Sequence, residues 1–429
     1  MSLTSEETAQ LTRQRWFVVI ASCLINLCLG SMYAWSVFSP PMAMHLNELN
    51  GLTGAAALSG ASLAIVFGLA NIVGPIMTLC GGFLHDTFGP KKMIFIGGLI
   101  FSSGMFLSGF ATNLTMLTLF YSIGIGTGTG FTYICTISNS VKLFPDKRGL
   151  VGGIITASYG LSSVIMPPIA IVLINSMGVV DAFKCIGVAF VVIICGCSFL
   201  VTKCPAGFTP TGWTPPVAAN AGSGGGAADK NWKQMLGDPI FYVMLLMLTS
   251  GAVFGLMIIS QASSLSQNMV GMSVAAATSV VSILALFNAA GRVSAGFVSD
   301  KIGRVNTLAL MLVFAILGLG LLYFSGKGDI AQFYIGVSIV GMCFGSFMGV
   351  YPGFTADQFG PKHSGFNYGI MFIGFGLAGV IGPMLMTNVY KASGSYQSAF
   401  MVAAVLALVG IVFSFIYRAM SRSKRVSRN

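Results

Sequence analysis

Charge is scarce in this sequence: Asp, Glu, Lys and Arg together make up 8% of it, against 55% apolar residues. A soluble protein of 429 residues could not cover its surface with so few charges. Acids are the rarer sign, eleven against 22 Lys and Arg. Glu6, Glu7, Glu48, Asp86, Asp146, Asp181, Asp229, Asp238, Asp300, Asp329 and Asp357 all fall in loops or at helix ends by pattern. The apolar stretches therefore hold no paired carboxylates for acid–base chemistry. His45, His85 and His363 sit near the ends of apolar runs, where a solvated position is expected. The nine cysteines have neither metal-ligand spacing nor a paired extracellular framework, and read as small buried hydrophobes. No reactive constellation lies at membrane depth, so the chain is not read as an enzyme, and no metal or cofactor is expected.

What fills the chain is apolar runs of spanning length. They fall near 16–38, 55–79, 91–111, 114–138, 150–174, 182–201, 238–261, 273–297, 306–325, 330–354, 364–388 and 396–417. About 20 mostly apolar residues cross a bilayer, so the expectation is an all-α membrane protein with twelve transmembrane helices. The first run is too long for a signal-peptide core. One connection stands apart: Thr202 to Gly237 is polar, carries Pro205, Pro210, Pro215 and Pro216, and then Gly222 to Gly226. This composition reads as a flexible linker. It divides the chain into a six-helix half, 1–201, the linker 202–237, a second six-helix half, 238–417, and a basic tail, 418–429.

The basic residues orient the chain. With a cytoplasmic amino terminus, all of the 22 Lys and Arg except Lys184, Lys327, Lys391 and Arg292 fall in cytoplasmic segments. That asymmetry follows the positive-inside rule, and an even helix count places both termini in the cytoplasm. It also accounts for the +11 net charge without nucleic acid. The basic tail is expected to meet anionic lipid headgroups of the bilayer, and the expected location is the cell (inner) membrane, crossed many times.

The halves repeat. Gly82, Asp86 and Gly89 correspond to Gly296, Asp300 and Gly303 at an offset of 214, Phe144 and Lys147 to Phe359 and Lys362 at 215, and Pro167 to Pro383 at 216. Parallel halves with a site between them near the bilayer midplane form a transporter plan. Gly124, Gly126, Gly128 and Gly130 have no strand, lysine or loop around them and are no phosphate loop. Their spacing of four favours close helix packing. Pro75, Pro167, Pro352 and Pro383 read as kinks.

Arg292 is the basic residue set well inside a helical run. Burying it costs at least about 2.5–3.5 kcal/mol on insertion scales, so it should face a cavity and have a partner. No acid lies at its depth, and a transported carboxylate is the natural counter-ion for a guanidinium. Two other readings stay open: Arg292 snorkels toward the cytoplasm, or it joins a structural latch with Asp300.

The two G-x-x-x-D-x-x-G copies, Gly82 to Gly89 and Gly296 to Gly303 with Arg304 following, resemble the cytoplasmic joints of the major facilitator superfamily of secondary transporters. In that superfamily the joint helps latch the halves. Arg15-Trp16-Phe17, Tyr33-Ala34-Trp35, Phe144 to Leu150, Tyr159-Gly160 and Asn367-Tyr368-Gly369 look like the group of oxalate–formate antiporters and monocarboxylate transporters. That resemblance implies carriage of small organic anions by alternating access, and it aligns Arg292 with the substrate-binding arginine of helix eight. It also makes Tyr33, Tyr133, Tyr159, Phe344, Phe372 and Phe375 candidate pocket walls. Each of these is about as well explained by helix packing.

Two departures refine it. The oxalate carrier has a second cation eight residues after the Asn of Asn-Tyr-Gly, where this chain has Phe375. One cation facing a phenyl ring suits a single carboxylate with a small apolar tail. Animal monocarboxylate carriers have an aspartate four residues before the arginine, tied to proton coupling; here it is Asn288. Asn288 lies one turn from Arg292 and can bond it or the substrate but carries no proton. The expected function is transport of lactate- or pyruvate-like monocarboxylates by proton symport, in a monomer. The alternative is anion exchange of oxalate–formate type.

Overall fold

The computed structural model describes residues 4–60, 62–214 and 229–426. Pro215, Pro216 and Gly222 to Gly226 of the expected linker lie outside the described residues, as do Met1 to Leu3 and Ser427 to Asn429. Among the described residues the chain is all-helical, and its helices make twelve spans once 148–200 is divided at Gly178 and 114–143 is counted. They are α1 (Ser5–Asn50), α2 (Ala64–Phe88), α3 (Pro90–Ser108), α4 (114–143), α5 (148–177), α6 (179–200), α7 (Pro239–Asn268), α8 (Val274–Ile302), α9 (Arg304–Tyr323), α10 (Ile330–Phe359), α11 (Ser364–Ser393) and α12 (Tyr396–Val426). Helical backbone runs on through 148–200, but Gly178 at φ 81° folds it into two spans. Within α4 an eight-residue π segment, Thr118–Ile125, joins Leu114–Leu117 to Gly126–Leu143.

Several boundaries differ from the hydropathy reading, each for a local reason. α1 begins at Ser5, well before its apolar run, because Thr4 and Glu7 form a reciprocal capping box. A 3-10 stretch, Gly30–Ala34, interrupts it before it continues to Asn50, with Gly51 as its cap. α2 starts at Ala64, later than its run, because Ser59 and Ser62 bond each other in a turn ahead of it. The repeated Gly82 to Gly89 and Gly296 to Gly303 stretches are the last turns of α2 and α8, not joints. Gly89 and Gly303, at φ 87° and 91°, make the actual turns.

The chain resolves into two compact units. The first comprises Met1–Pro145, Ser158–Trp213 and Ser364–Ile370; the second comprises Asp146–Ala157, Thr214–His363 and Met371–Asn429. The early turns of α5 thus pack with the second unit, and those of α11 with the first.

In the first unit the glycines of α4 face two ways. A Cβ on Gly124 would lie 2.9 Å from the Gly104 Cα of α3, and one on Gly128 would meet Phe101 of the same helix. Gly126 and Gly130 point instead to α2, with Cβ positions 2.8 Å from Val73 and 2.6 Å from the Gly74 carbonyl. The two i,i+4 pairs let α4 press its backbone against two neighbours at once. The same inversion of the soluble pattern sets the burial. Ile65, Ile72, Ile76 and Phe83 of α2 are exposed, a face suited to lipid, while Asn26 is buried, donating to the Ser22 carbonyl at 2.7 Å and to Thr136 Oγ1 at 2.8 Å. Among the described residues every cysteine is free, and Cys80 and Cys185 are exposed, contrary to their expected burial.

Candidate functional site

Glycines of neighbouring helices bring Arg292 to its position. In the second unit, a Cβ on Gly153 of α5 or on Gly349 of α10 would overlap the Arg292 carbonyl. Gly345 abuts the Asn288 carbonyl in the same way, and Gly291 abuts Met342. α8 therefore lies backbone-to-backbone against α5 and α10 at the level of the arginine. Arg292 is 6% exposed and Asn288 7%.

The guanidinium is held by two neutral acceptors. Its Nε donates to Asn288 Oδ1 at 2.8 Å and its Nη1 to the Thr156 backbone carbonyl at 2.5 Å. Asp300 is engaged elsewhere, accepting from the Gly149 and Leu150 N–H groups at 2.9 and 2.8 Å and pairing with Arg304 at 2.7 Å. In this structure Arg292 thus neither snorkels to the helix end nor joins the Asp300 latch. Phe344, which precedes Gly345 on α10, is buried against Gly255 of α7 and lies 6.4 Å from Phe375 in a stacked pair; Phe375 stacks in turn on Phe372 at 4.8 Å.

The tyrosine candidates form their own group in the first unit. Tyr159 meets Tyr33 edge-on at 5.5 Å and Tyr133 at 5.2 Å, and its hydroxyl donates to Met32 Sδ at 3.0 Å. Gly30, at the head of the 3-10 stretch, abuts the Tyr159 carbonyl and so sets the distance of α1 from α5. Tyr133 is nearly buried, whereas Tyr33 is exposed.

The repeated acids each cap a helix start. Asp86 pairs with Lys142 at 2.9 Å and accepts from the Phe366 N–H of α11 at 3.1 Å. Gly82 permits this approach, since a Cβ there would lie 2.5 Å from the Gly365 carbonyl. Asp300 does the same at the start of α5, through Gly149 and Leu150. Negative charge at a helix N-terminus meets orphan N–H groups and the favourable end of the macrodipole. Asp357 completes the second network, pairing with Arg304 at 2.8 Å and with Arg148 at 2.5 Å.

Sequence reasoning missed Lys142, Arg148, Asp357 and Thr156 as members of these arrangements. The repeat held a signal for two of them: Lys142 and Asp357 correspond at an offset of 215, with the charge reversed. His85 corrects the expectation of a solvated surface. It is 3% exposed, its Nε2 lies 3.9 Å from Asp86 Oδ1, and its Nδ1 has no hydrogen-bond partner among the described residues.

Comparison with known proteins places these features in a family. Residues 20–348, and again 262–429, match the model of the Major Facilitator Superfamily. An MFS-type transporter of Escherichia coli K12 is 27% identical over 86% of this chain and 86% of its own. The oxalate:formate antiporter of Oxalobacter formigenes is 26% identical over 98% of this chain and 95% of its own. Monocarboxylate transporter 11 of Mus musculus is 25% identical over 95% and 88%. The solved structure of a proton:xylose symporter with a bound halogenated glucose superposes with a TM-score of 0.70 at 14% identity, covering 94% of this chain and 95% of that one.

Proposed function

This chain belongs to the Major Facilitator Superfamily and is a multi-pass membrane transporter; on that premise we propose that it carries small monocarboxylates, lactate- or pyruvate-like, by alternating access. The observation that carries the reading is the Arg292 environment. A cation buried at this depth is held by an amide oxygen and a backbone carbonyl, both uncharged. Neutral dipoles are weaker partners for a guanidinium than a carboxylate, whose two oxygens match its paired donors. The cargo carboxylate supplies the missing charge. The stacked Phe344, Phe375 and Phe372 offer an apolar wall, which favours a single carboxylate with an apolar tail over two carboxylates. The monocarboxylate transporter among the relatives supports the same choice.

Proton symport accompanies this proposal, although Asn288 cannot relay the proton. The acting unit is a monomer of two six-helix halves, 1–201 and 238–417, joined by 202–237. Uptake of radiolabelled lactate into proteoliposomes, with and without an inward proton gradient, tests the reading. Gradient-driven uptake in the wild type that vanishes in Arg292→Ala is expected. Absence of any lactate flux defeats the substrate assignment.

Anion exchange is the second reading, favoured by the oxalate:formate antiporter that aligns over nearly the whole chain. It holds if lactate or formate enters only against internal anion and ignores the pH gradient.

A further inference from the structure

α11 is fastened to different neighbours along its length. Its early turns belong to the first unit. There the Phe366 N–H donates to Asp86 of α2 at 3.1 Å, the Ser364 and Ser138 hydroxyls bond at 2.7 Å, and a Cβ on Gly369 would lie 3.1 Å from the Thr78 carbonyl. The later turns belong to the second unit and are held by α7. Thr249 Oγ1 donates to the Gly374 carbonyl at 3.2 Å, and a Cβ on Gly382 would lie 2.9 Å from the Val253 carbonyl. Between these two sets of contacts the helix is interrupted. Regular α-helix runs over Ser364–Met371 and resumes over Ile373–Ser393, with Phe372 at ψ −11° between them. The Phe372 carbonyl accepts from the Phe375 N–H, three residues on, at 3.0 Å as well as from the Gly376 N–H at 3.2 Å. A tight 3-10 bond inside a long helix marks a place where the rod can change direction. Pro383, the expected kink, lies instead within the unbroken upper segment. α5 also passes from one unit to the other, between Ala157 and Ser158, yet its helix runs unbroken there. The interruption is particular to α11.

We propose that α11 bends at Phe372 during transport, its early turns staying clasped to α2 and α4 while Ile373–Ser393 follows α7. Gly374 and Gly376 lower the cost of leaving helical geometry just past the break, because glycine gives up more backbone freedom in a helix than any other residue. Gly376 has no packing duty, with nothing within 4 Å of its Cβ position. Phe375 stacks on Phe372 at 4.8 Å, so the bend also turns the aromatic wall. That last consequence for the cargo rests on the wall being where its tail lies; the bend itself does not.

Gly376→Ala and Gly379→Ala form the test pair. Both add a methyl to open space on α11, the first beside the break and the second inside regular helix. The helix preference of alanine over glycine is worth roughly two- to fivefold in a rate. The maximal rate of L-lactate uptake into proteoliposomes should fall by that factor in Gly376→Ala at unchanged KM, and hold in Gly379→Ala. Equal rates in the two variants overturn the hinge. Label distances read the bend without cargo. With the exposed thiols removed by Cys80→Ser and Cys185→Ser, nitroxides at the exposed positions Lys362 and Val380 bracket the break in lipid nanodiscs. Pulsed electron paramagnetic resonance should give a two-peaked distance distribution that narrows to one peak in Gly376→Ala. A single narrow peak already present without that substitution overturns the hinge. Absence of lactate uptake alongside the two-peaked distribution overturns the cargo assignment and leaves the hinge standing.

Discussion

Asn288→Asp replaces a neutral acceptor with a charged one of the same shape, 2.8 Å from Arg292 Nε. Volume, helix propensity and the hydrogen bond are retained, so the fold should stand. The electrostatics change: the arginine acquires an internal counter-ion, and the cargo carboxylate must compete with it. The Asn288 bond already comes from a charged donor, so it stands at the low end of the about 1.5–3 kcal/mol that such bonds contribute, and a carboxylate acceptor moves it toward the high end. If the cargo loses that margin of up to about 1.5 kcal/mol, its affinity at neutral pH falls by up to roughly tenfold. The new carboxylate is uncharged once protonated, so the deficit should shrink as pH falls toward the carboxylate range. Equilibrium binding of radiolabelled lactate to purified protein at pH 7.5 and pH 5 measures both effects. Wild-type affinity at pH 7.5 in a folded Asn288→Asp protein would mean that Arg292 is not the group that receives the cargo charge.

Two further perturbations address the scaffold around that arginine. Asp300→Asn weakens the acceptor for the Gly149 and Leu150 N–H groups and removes the charge facing Arg304. Breaking a buried pair by losing one partner costs about 3–5 kcal/mol, with the lower end apt for this partly exposed network. Initial-rate uptake should show a lowered maximal rate at nearly unchanged KM, and equal loss in both would place Asp300 in cargo binding instead. Gly128→Ala pushes a methyl into the Phe101 backbone of α3, whereas Gly68→Ala meets nothing within 4 Å. Overpacking of this kind costs about 1–3 kcal/mol, so thermal unfolding in detergent should drop for Gly128→Ala and hold for Gly68→Ala.

What was legible in the sequence follows from how local the determining physics is. Spanning length and the glycine spacing of α4 are properties of contiguous residues, and both are found in the structure. Arg292 stood out because a lone cation in an apolar run is conspicuous in any context. Its partner on α5 did not, because Thr156 contributes a main-chain carbonyl that every residue possesses. Asp86 and Asp300 were visible as a repeat, but their partners are backbone N–H groups at the starts of distant helices. His85 misled for another reason. Its place near a helix end suggests water, yet Gly365 of α11 closes over it, its Cβ position 2.8 Å from the imidazole Cδ2. The shifted start of α2 reflects the sequence at 55–62, where alanines and Leu58 extend the apolar run but Ser59, Gly60 and Ser62 favour a turn over a helix.

The carboxylates of Asp86 and Asp300 grip main-chain N–H groups, and this sets which mutations the chain can absorb at the receiving ends. Leu150 and Phe366 are held by an atom that nineteen of the twenty amino acids supply in identical form. Their side chains can drift in a lineage without loosening the clasp, while the aspartates cannot. Proline is the exception at both positions, since it alone withdraws the donor. In a saturation scan the ends should therefore look nothing alike: intolerance of nearly every change at the aspartates, and a single forbidden letter at Leu150 and Phe366, with Gly149 fixed for a different reason, since a Cβ there would lie 2.3 Å from the Gly296 carbonyl oxygen.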